Sequence, residues 1–375
     1  MAKKARSDAA PVKTAGSTPA PIRVAIAGQG RSGFAIHARW LREDGQRYHI
    51  VAVADQLPER RRQATDEFGC RAYKTWEQML KAGQFDLFVN ALPSNLHPKA
   101  TIAALKAGFN VICEKPAAVK LADFDKMVAA ARQSRRMLAF FQNSRFYPFF
   151  EKVQEVLESG VLGRIVHITM NWSGFARRWD WQTRQELWGG NINNTGPHPM
   201  DHAVVLFGEK MPSVFARLES GPNTLGDADD FAMVVLHGKA SPTVEVLVSS
   251  YQSFPRGEHI NISGTKGGLT GGPKGLKWKW LDAKKSPRIK LLKGWSEDRK
   301  YCGEQLAWNE ATWDAKPDAD DFQGNSRAFY SNVFDVLAGN GKLRITHEQV
   351  RRQVAVLEEC HRQNKLPPLG RKKFV

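Results

Sequence analysis

The sequence predicts an α/β protein in which an N-terminal doubly wound domain is followed by an α+β domain with a large, mostly antiparallel open sheet. Three observations support this prediction. Short apolar strands alternate with helices from residue 21 to residue 142, as expected of β-α-β units around a parallel sheet. Beyond residue 145 the strands are separated by turn residues instead of helices, which is typical of antiparallel pairing. The length of 375 residues corresponds to two or three domains.

The first strand and the glycines behind it indicate a nucleotide site. Ile22–Ala27 is a short, apolar, β-branched run of the kind found in buried parallel strands. Gly28, Gly30 and Gly33 follow at G-x-G-x-x-G spacing. In that motif the first glycine permits a tight turn, the second lets the backbone approach a pyrophosphate, and the third lets a helix pack close to the strand. Residues 34–42 continue with helix formers, and the free N–H groups of such a helix start suit a diphosphate.

The end of the second strand completes this pattern and bears on the choice of cofactor. An apolar strand over residues 49–54 ends in Asp55, about 20 residues past the glycines, where a carboxylate can accept hydrogen bonds from the adenosine ribose. Asp55 would repel a 2′-phosphate, so NAD(H) is the favoured cofactor. Arg60, Arg61 and Arg62 follow closely and leave NADP(H) open as an alternative. A glycine-rich turn without a ligand is the other interpretation, but the order of strand, glycines, helix, strand and acid argues against it.

The rest of the N-terminal half continues the alternation. The predicted helices cover residues 59–68, 75–81, 97–107 and 121–134, and the predicted strands cover residues 85–92, 110–113 and 137–142. Ligands of doubly wound sheets bind beyond the carboxyl ends of the strands. Pro93, Lys115 and Asn143 follow such ends, so we expect them near the cofactor.

The C-terminal half is predicted to contain fewer helices and more strands. Helices are expected over residues 148–159, 327–337 and 346–363, and strands over residues 164–172, 214–219, 231–237, 243–251 and 259–264. We therefore assign residues 1–20 to a disordered basic arm, residues 21–145 to a Rossmann dinucleotide-binding domain and residues 146–375 to an α+β domain, to which the family resemblance given below adds substrate binding and oligomerisation.

Composition limits the possible functions. The net charge is +17, but Lys and Arg are spread along the chain without a nucleic-acid-binding signature, so we expect no specific nucleic-acid partner. No apolar run approaches the length of about 20 residues that spans a bilayer, and the charged N-terminal stretch lacks the apolar core of a secretory signal. The cysteines Cys70, Cys113, Cys302 and Cys360 lack metal-ligand spacing. We expect a cytoplasmic protein with reduced thiols, no metal site and no membrane partner.

Two stretches contain residue types suited to proton transfer. The first is the tripeptide Glu114-Lys115-Pro116, in which the proline keeps the chain extended, and an ammonium near a nicotinamide could polarise a substrate oxygen. The second contains Asn194, His198 and Asp201, which we expect on one face at the start of a helix that runs to residue 207. Histidine can accept a hydroxyl proton while hydride leaves carbon. Taken alone, the tripeptide could be a surface loop, and His198 could be a capping or packing residue.

Several motifs together resemble the glucose-fructose oxidoreductase and inositol dehydrogenase (Gfo/Idh/MocA) family. They are GQGRSG, ALPSNLHPKATIAALKAGFNVICEKP, NSRFYP, SGVLGRI and the GG-x-x-N-N-T-G-P-H-P-M-D run that starts at Gly189. The resemblance covers about residues 21 to 365. It implies a Rossmann domain followed by an open-sheet domain, and oxidation or reduction of a carbohydrate, inositol or related polyol with NAD(P). It also implies a homodimer or homotetramer.

The motifs read above and the resemblance together give the expected roles of individual residues. Lys115, His198 and Asn194 are the expected catalytic residues. The expected cofactor-binding residues are Gly28, Gly30, Arg31, Ser32, Gly33, Asp55, Leu92, Pro93, Asn95, His97, Glu114, Lys115 and Asn143. The expected substrate-binding residues are Lys115, Trp179, Asn194, His198 and Asp201. Trp179 belongs to a tryptophan cluster with Trp181, whose rings could stack on a sugar or fill a core or a dimer contact.

This chain departs from the family pattern D-x-G-x-H-x-x-D at its first position, which is Asn194. An asparagine can orient the histidine ring but adds no charge that would stabilise an imidazolium. Lys115 could then carry more of the proton transfer, or the reaction could run mainly towards reduction. Two further interpretations stay open: an NAD-using glycoside hydrolase that oxidises its sugar transiently, and a non-catalytic protein that binds the dinucleotide.

Overall fold

The structure of the protein is a computed structural model. The structure describes residues 20–254, 257–286, 289–295, 299, 301–316 and 322–369. The predicted N-terminal arm, residues 1–20, lies outside the described residues apart from Ala20.

The first sheet of the described chain is six-stranded and entirely parallel, with strand order β3-β2-β1-β4-β5-β6. Its strands are β1 (Ile22–Ala27), β2 (Tyr48–Ala54), β3 (Arg71–Tyr73), β4 (Leu87–Asn90), β5 (Asn110–Cys113) and β6 (Leu138–Phe140). This order is that of the doubly wound dinucleotide-binding fold, with its crevice where the order reverses between β1 and β4. The predicted Rossmann fold is confirmed.

Helices cover this sheet and begin close to the strand ends that form the crevice. They are α1 (Arg39–Glu43), α2 (Pro58–Phe68), α3 (Trp76–Ala82), α4 (His97–Lys106) and α5 (Leu121–Ser134). A π-helical segment, Arg31–Ala38, precedes α1 directly behind the glycines, where the sequence predicts an ordinary helix. Such wide turns are frequent at functional sites. In this one the His37 side chain points into the interior and is fully buried.

The second sheet of the described residues is eight-stranded, with order β14-β13-β12-β11-β7-β10-β9-β8. Its strands are β7 (Ile165–Asn171), β8 (Ser213–Glu219), β9 (Phe231–His237), β10 (Thr243–Ser249), β11 (Ile260–Gly264), β12 (Gly267–Gly272), β13 (Gly275–Leu281) and β14 (Trp308–Asp314). All neighbours pair antiparallel except β7 and β10. The large, mostly antiparallel sheet is thus confirmed, and β12 to β14 extend it beyond the predicted strands.

Helices cover one face of the second sheet. These helices are α6 (Pro148–Glu158), α7 (Asn191–Asn194) and α8 (Pro197–Phe207). Phe150, Val204 and Leu236 are fully buried in the core between them. No helix among the described residues is long and apolar enough to cross a membrane.

The C-terminal helices α9 (Phe322–Leu337) and α10 (His347–Gln363) contribute to both cores. Tyr330 of α9 and Val354 of α10 are fully buried in the core of the first sheet, whereas Leu357 of α10 is buried in the core of the second. The division at residue 145 stays a prediction, and side chains from both final helices enter the core of the first sheet. The final helices complete the first core and connect it to the second.

Candidate active site

The three motif glycines differ in what surrounds them. A Cβ on Gly28, whose φ is +90°, would lie 2.3 Å from the Ala91 carbonyl oxygen, and one on Gly33 would lie 1.8 Å from the Gly28 carbonyl oxygen. Side chains are thus sterically excluded at both positions. Gly30 has ordinary backbone angles, and its Cβ would meet nothing closer than Arg60 Nη1 at 3.8 Å. The space beside Gly30 is open, as required where a pyrophosphate approaches the backbone.

Asp55 is held at the carboxyl end of β2 by the main chain. Its Oδ2 accepts a hydrogen bond from the Gln29 N–H at 2.8 Å, and its Oδ1 accepts one from the Leu57 N–H at 2.9 Å. Arg60 Nη1 lies 3.5 Å from Oδ2. The carboxylate is therefore oriented at the crevice, and the nearby guanidinium balances part of its charge.

Two adjoining pockets form one groove across the crevice. Both are lined by Gly28, Asp55, Arg60, Leu92 and Pro93. One pocket continues past Trp76 and Lys99, neither of which was a predicted site residue. The apolar walls of this pocket suit an adenine. The other pocket continues towards the second sheet and is lined by Gly30, Arg31, Ser32, His97, Glu114, Lys115, Asn143, Asn194 and His198, all of them predicted site residues.

Lys115 joins the two halves of the molecule within this second pocket. Its Nζ donates a hydrogen bond to the Asn194 carbonyl oxygen at 2.8 Å. Burial lowers the pKa of the Lys115 ammonium, while the charge of Glu114 opposes that change. A lysine with a lowered pKa is suited to proton transfer near neutral pH.

Glu114 lies beside Lys115 and is ionised despite its burial. Its Oε2 accepts the Lys115 main-chain N–H at 3.0 Å, and Oε1 lies 3.1 Å from His37 Nε2 and accepts from the Ser32 hydroxyl. Burial alone would raise the pKa of Glu114, but the hydrogen bonds from His37 and Ser32 and the charge of Lys115 lower it to about 2. The carboxylate is therefore a permanent negative charge in the pocket.

His97 and Asn143 shape the pocket in different ways. The ring nitrogens of His97 lie 2.8 Å from the Pro116 carbonyl oxygen and 2.9 Å from the Leu92 carbonyl oxygen, so the imidazole braces the loops after β4 and β5. Asn143 is buried and lines the pocket, and its Nδ2 has no hydrogen-bond partner within the described part of the chain. A donor of this kind suits an acceptor on a bound ligand.

His198 lines the same pocket as a neutral imidazole. Its Nδ1 lies 3.2 Å from Ser144 Oγ, and its ring stacks on Trp172 with the centroids 5.9 Å apart. Burial, followed by the charge of Lys115, lowers the pKa of His198 to about 3. The imidazole can accept a proton only weakly, because its cation is disfavoured here.

The expected face of Asn194, His198 and Asp201 does not form. Asn194 ends helix α7, whereas His198 and Asp201 belong to α8, which begins at Pro197. Asp201 is fully buried, and its carboxylate oxygens accept hydrogen bonds from Arg145 at 2.7 and 2.6 Å. It lies outside the pocket lining and forms a buried ion pair with Arg145, and its contact with substrate stays a prediction.

The loop before α7 supplies the outer wall of the pocket. Arg178, Asp180, Trp181 and Gln182 line it, whereas Trp179 lies outside the lining and is 76% exposed. Trp181 therefore lines the pocket and Trp179 does not, and a contact of either ring with substrate stays a prediction. Nothing in the local sequence distinguishes the two rings. Gly33 and Asn95, both expected near the cofactor, also lie outside the lining.

These residues fit a nicotinamide dinucleotide. The open space at Gly30 accommodates phosphates, the carboxylate of Asp55 faces the adenosine end, and the unpaired amide of Asn143 lies at the opposite end of the groove. Across the residues that the structure describes, no group of three or more His, Cys, Asp or Glu side chains could hold a metal ion.

Comparisons with known proteins agree with this architecture. A family model described as an oxidoreductase family with an NAD-binding Rossmann fold matches residues 22–142, and the Gfo/Idh/MocA C-terminal domain matches residues 150–270. An uncharacterised oxidoreductase of Schizosaccharomyces pombe is 26% identical over 370 residues, which cover 91% of this chain and 97% of that protein. Myo-inositol 2-dehydrogenase of Thermotoga maritima is 28% identical over 66% of this chain and 74% of its own length.

Among solved structures, the WlbA dehydrogenase of Bordetella pertussis, in complex with NADH and UDP-GlcNAcA, is similar with a TM-score of 0.75. Its sequence identity is 24%, and the match covers 93% of this chain and 96% of that chain, so the likeness shows the shared fold. Together with the matched family models, the glycine loop and the two-sheet architecture, this establishes that the chain belongs to the Gfo/Idh/MocA oxidoreductase family and has its NAD-binding Rossmann fold.

Proposed function

We propose that the protein is an NAD-dependent oxidoreductase that transfers hydride between nicotinamide and a CH–OH group of a carbohydrate, inositol or related polyol. The main support is the contact between Lys115 Nζ and the Asn194 carbonyl oxygen, which places the lysine of the nucleotide half against the wall that contains His198. A substrate hydroxyl in this pocket would thus lie within reach of both side chains.

The chemistry assigns a separate task to each residue. Bound NAD(H) supplies the acceptor or donor of hydride. In oxidation the neutral Lys115 amine accepts the proton of the substrate hydroxyl, and in reduction the Lys115 ammonium donates a proton to the substrate oxygen. Burial lowers the pKa of Lys115, which makes both forms accessible. His198, with a pKa of about 3, orients the hydroxyl as a neutral imidazole and is a weak base. Asp55 binds the ribose hydroxyls, which favours NAD(H), while Arg60 leaves NADP(H) as a second cofactor.

The class of substrate is supported by relatives and by the pocket wall. One relative is a myo-inositol 2-dehydrogenase, whose substrate is a polyol. The solved structure of WlbA contains a nucleotide-linked sugar acid. Trp181 offers an aromatic face on the pocket wall, and such faces stack on sugar rings.

The test is a panel of sugars, inositols and sugar acids incubated with the purified protein and NAD or NADP. We expect reduced nicotinamide to accumulate with at least one polyol, faster with NAD than with NADP. Release of a sugar without net change in NADH would instead identify a glycoside hydrolase. Cofactor binding without turnover across the panel would identify a non-catalytic protein.

We also propose that the uncovered face of the second sheet pairs with a second copy to give a homodimer or homotetramer. Phe215 on this face is 53% exposed and lies beside Val235 of the neighbouring strand, which in turn lies beside Glu245 of the next strand. A half-apolar sheet face of this kind is a usual protein contact. Sedimentation of the protein, compared with that of a Phe215→Lys variant, tests this assembly: a single monomeric species for both would contradict it.

A further inference from the structure

A chain of buried hydrogen bonds connects the pocket to helix α9, and the chemistry proposed above does not use it. Tyr330 Oη lies 2.7 Å from His37 Nδ1, and His37 Nε2 lies 3.1 Å from Glu114 Oε1. Tyr330 and His37 are fully buried, and Glu114 is 5% exposed. The chain therefore runs from the C-terminal part of the molecule to a carboxylate on the pocket wall.

The protons in this chain point towards Glu114. Burial raises the pKa of Tyr330 well above its ordinary value, so its hydroxyl stays protonated. The hydroxyl can therefore donate a hydrogen bond to His37 Nδ1. The carboxylate can only accept, so His37 donates to it from Nε2 and offers Nδ1 as the acceptor for Tyr330. The Ser32 hydroxyl and the Lys115 main-chain N–H donate to the same carboxylate. Glu114 is thus the acceptor at the end of the chain.

A fixed anion at this position acts on the Lys115 ammonium. Burial lowers the pKa of Lys115, and Arg31 and Arg178 lower it further, whereas Glu114 raises it. The charge of Glu114 therefore opposes the lowering of the Lys115 pKa by burial and by the two guanidinium groups.

The histidines that face this pair add little charge of their own. Burial lowers the pKa of His97 and of His198, which disfavours a positive charge on either ring. The pKa of Lys115 then depends on how closely the Glu114 carboxylate is held beside the ammonium.

We propose that Tyr330 and His37 are positioning residues of the active site, which hold the Glu114 carboxylate as an oriented anion beside Lys115. The inference rests on the proposed role of Lys115 in proton transfer. Tyr330 lies outside the pocket lining, so it acts only through the hydrogen bonds that it begins. Without its hydroxyl, His37 loses the partner that fixes its tautomer, and the carboxylate loses a reliable donor.

The test measures the proton affinity of Lys115 directly on the full-length protein. Brief acetylation with acetic anhydride at a series of pH values, quantified by peptide mass spectrometry, gives the midpoint at which the Lys115 amine becomes reactive. In the Tyr330→Phe variant the carboxylate stays ionised but is no longer held in one orientation, so we expect this midpoint to fall by up to about one pH unit, the shift that a whole nearby charge produces. His37→Leu should lower it at least as far. His37→Gln should restore it, because the amide can donate to Glu114 and accept from Tyr330.

The matched control is Tyr48→Phe. The Tyr48 hydroxyl donates to the Tyr330 main-chain oxygen at 2.7 Å, and the two rings lie 5.4 Å apart, so this variant loses a buried hydrogen bond in the same cluster without breaking the chain. A purely structural role would lower the melting temperatures of Tyr48→Phe and Tyr330→Phe alike and leave the Lys115 midpoint unchanged. That result would overturn the proposal.

If Tyr330→Phe fails to fold, the comparison of His37→Gln with His37→Leu tests the proposal instead. Equal Lys115 midpoints for these two variants would also overturn the proposal. The labelling needs no substrate. Absence of turnover in the unmodified protein would therefore contradict the proposed function, whereas an unchanged Lys115 midpoint in an active enzyme would contradict only the positioning role.

Discussion

The two walls of the pocket are built in opposite ways. On the wall from the first sheet, Asp55 and Glu114 are bound by main-chain N–H groups, and His97 lies between two main-chain carbonyl groups. On the wall from the second sheet, Arg178 is held by the side chain of Asp180 at 2.7 Å, and both side chains are partly exposed. The first wall is fixed by the backbone, and the second is held by a surface loop.

This difference separates the general part of the site from the part specific to this chain. Main-chain contacts depend on the fold, so the cofactor wall follows wherever this fold forms. The loop wall depends on individual side chains, which loops can exchange without loss of the core. We therefore expect substitutions in the first wall to affect turnover or cofactor binding, and substitutions in the loop to affect which substrate is accepted.

The largest effect is expected at Lys115, where the walls meet. Lys115→Met should lower kcat by about 10²- to 10⁴-fold, the usual contribution of a proton-transferring group, with little change in NAD affinity. Steady-state kinetics and calorimetry with NAD measure the two quantities. Lys126→Met, at a mostly exposed lysine paired with Asp123, is the control and should retain full activity. Comparable activity in both variants would remove Lys115 from the mechanism.

Within the first wall, Gly30 and Gly33 should separate binding from folding. Gly33→Ala places a Cβ 1.8 Å from a carbonyl oxygen and should destabilise the fold by about 1–3 kcal/mol, as overpacking does. Gly30→Ala meets only ordinary contacts, so its melting temperature should stay unchanged while NAD binds about tenfold more weakly, a loss of about 1.4 kcal/mol. Gly45→Ala, whose Cβ would lie 3.7 Å from the Arg42 carbonyl oxygen, is a neutral control. Equal NAD affinity in Gly30→Ala would argue against pyrophosphate at this position.

In the second wall, Asn194→Asp tests the departure from the family pattern. A nearby carboxylate should raise the pKa of His198 from about 3 by about 1–3 units. The imidazole is neutral above its pKa, so activity that needs the neutral form should be lost as the pH falls through the raised value. Profiles of kcat/KM against pH down to about pH 4 measure this shift. An acid limb identical to that of the unmodified protein, or to that of Asn194→Gln, would exclude coupling between this position and His198.

The smallest effect is expected for the loop tryptophans, and it compares two neighbours. Trp181→Ala should raise KM about fivefold, because loss of an aromatic contact is worth about 0.5–1.5 kcal/mol. Trp179→Ala should change KM little, because its ring lies outside the pocket lining. Steady-state assays with the best substrate of the panel measure both constants. A larger change at Trp179 would mean that the loop closes differently over the substrate.

The sequence predicted features that depend on short stretches of chain. Gly28, Gly33 and Asp55 belong to a strand–turn–helix pattern whose geometry is local, and Lys115 follows a recognisable strand end. β12 was missed because its sequence, GGLTGG, has low strand propensity and is held by its neighbours β11 and β13. Local periodicity carries no information on such pairing.

Features that depend on distant contacts could not be predicted. Asp201 is paired with Arg145, 56 residues earlier in the chain, which withdraws it from the pocket. His37, on the π-helical turn, meets Tyr330 across 293 residues. Spacing along the chain reveals neither contact, because both depend on how the two halves pack.

The return of α9 to the first core affects how the chain can fold during synthesis. The Tyr330 ring stacks on Trp40 at 5.0 Å and meets the Tyr48 ring edge-on. Both partners leave the ribosome almost 300 residues before Tyr330 does. In the nascent nucleotide-binding half, this aromatic surface therefore stays exposed until the last part of the polypeptide emerges. We expect chaperones to bind it mainly during that interval.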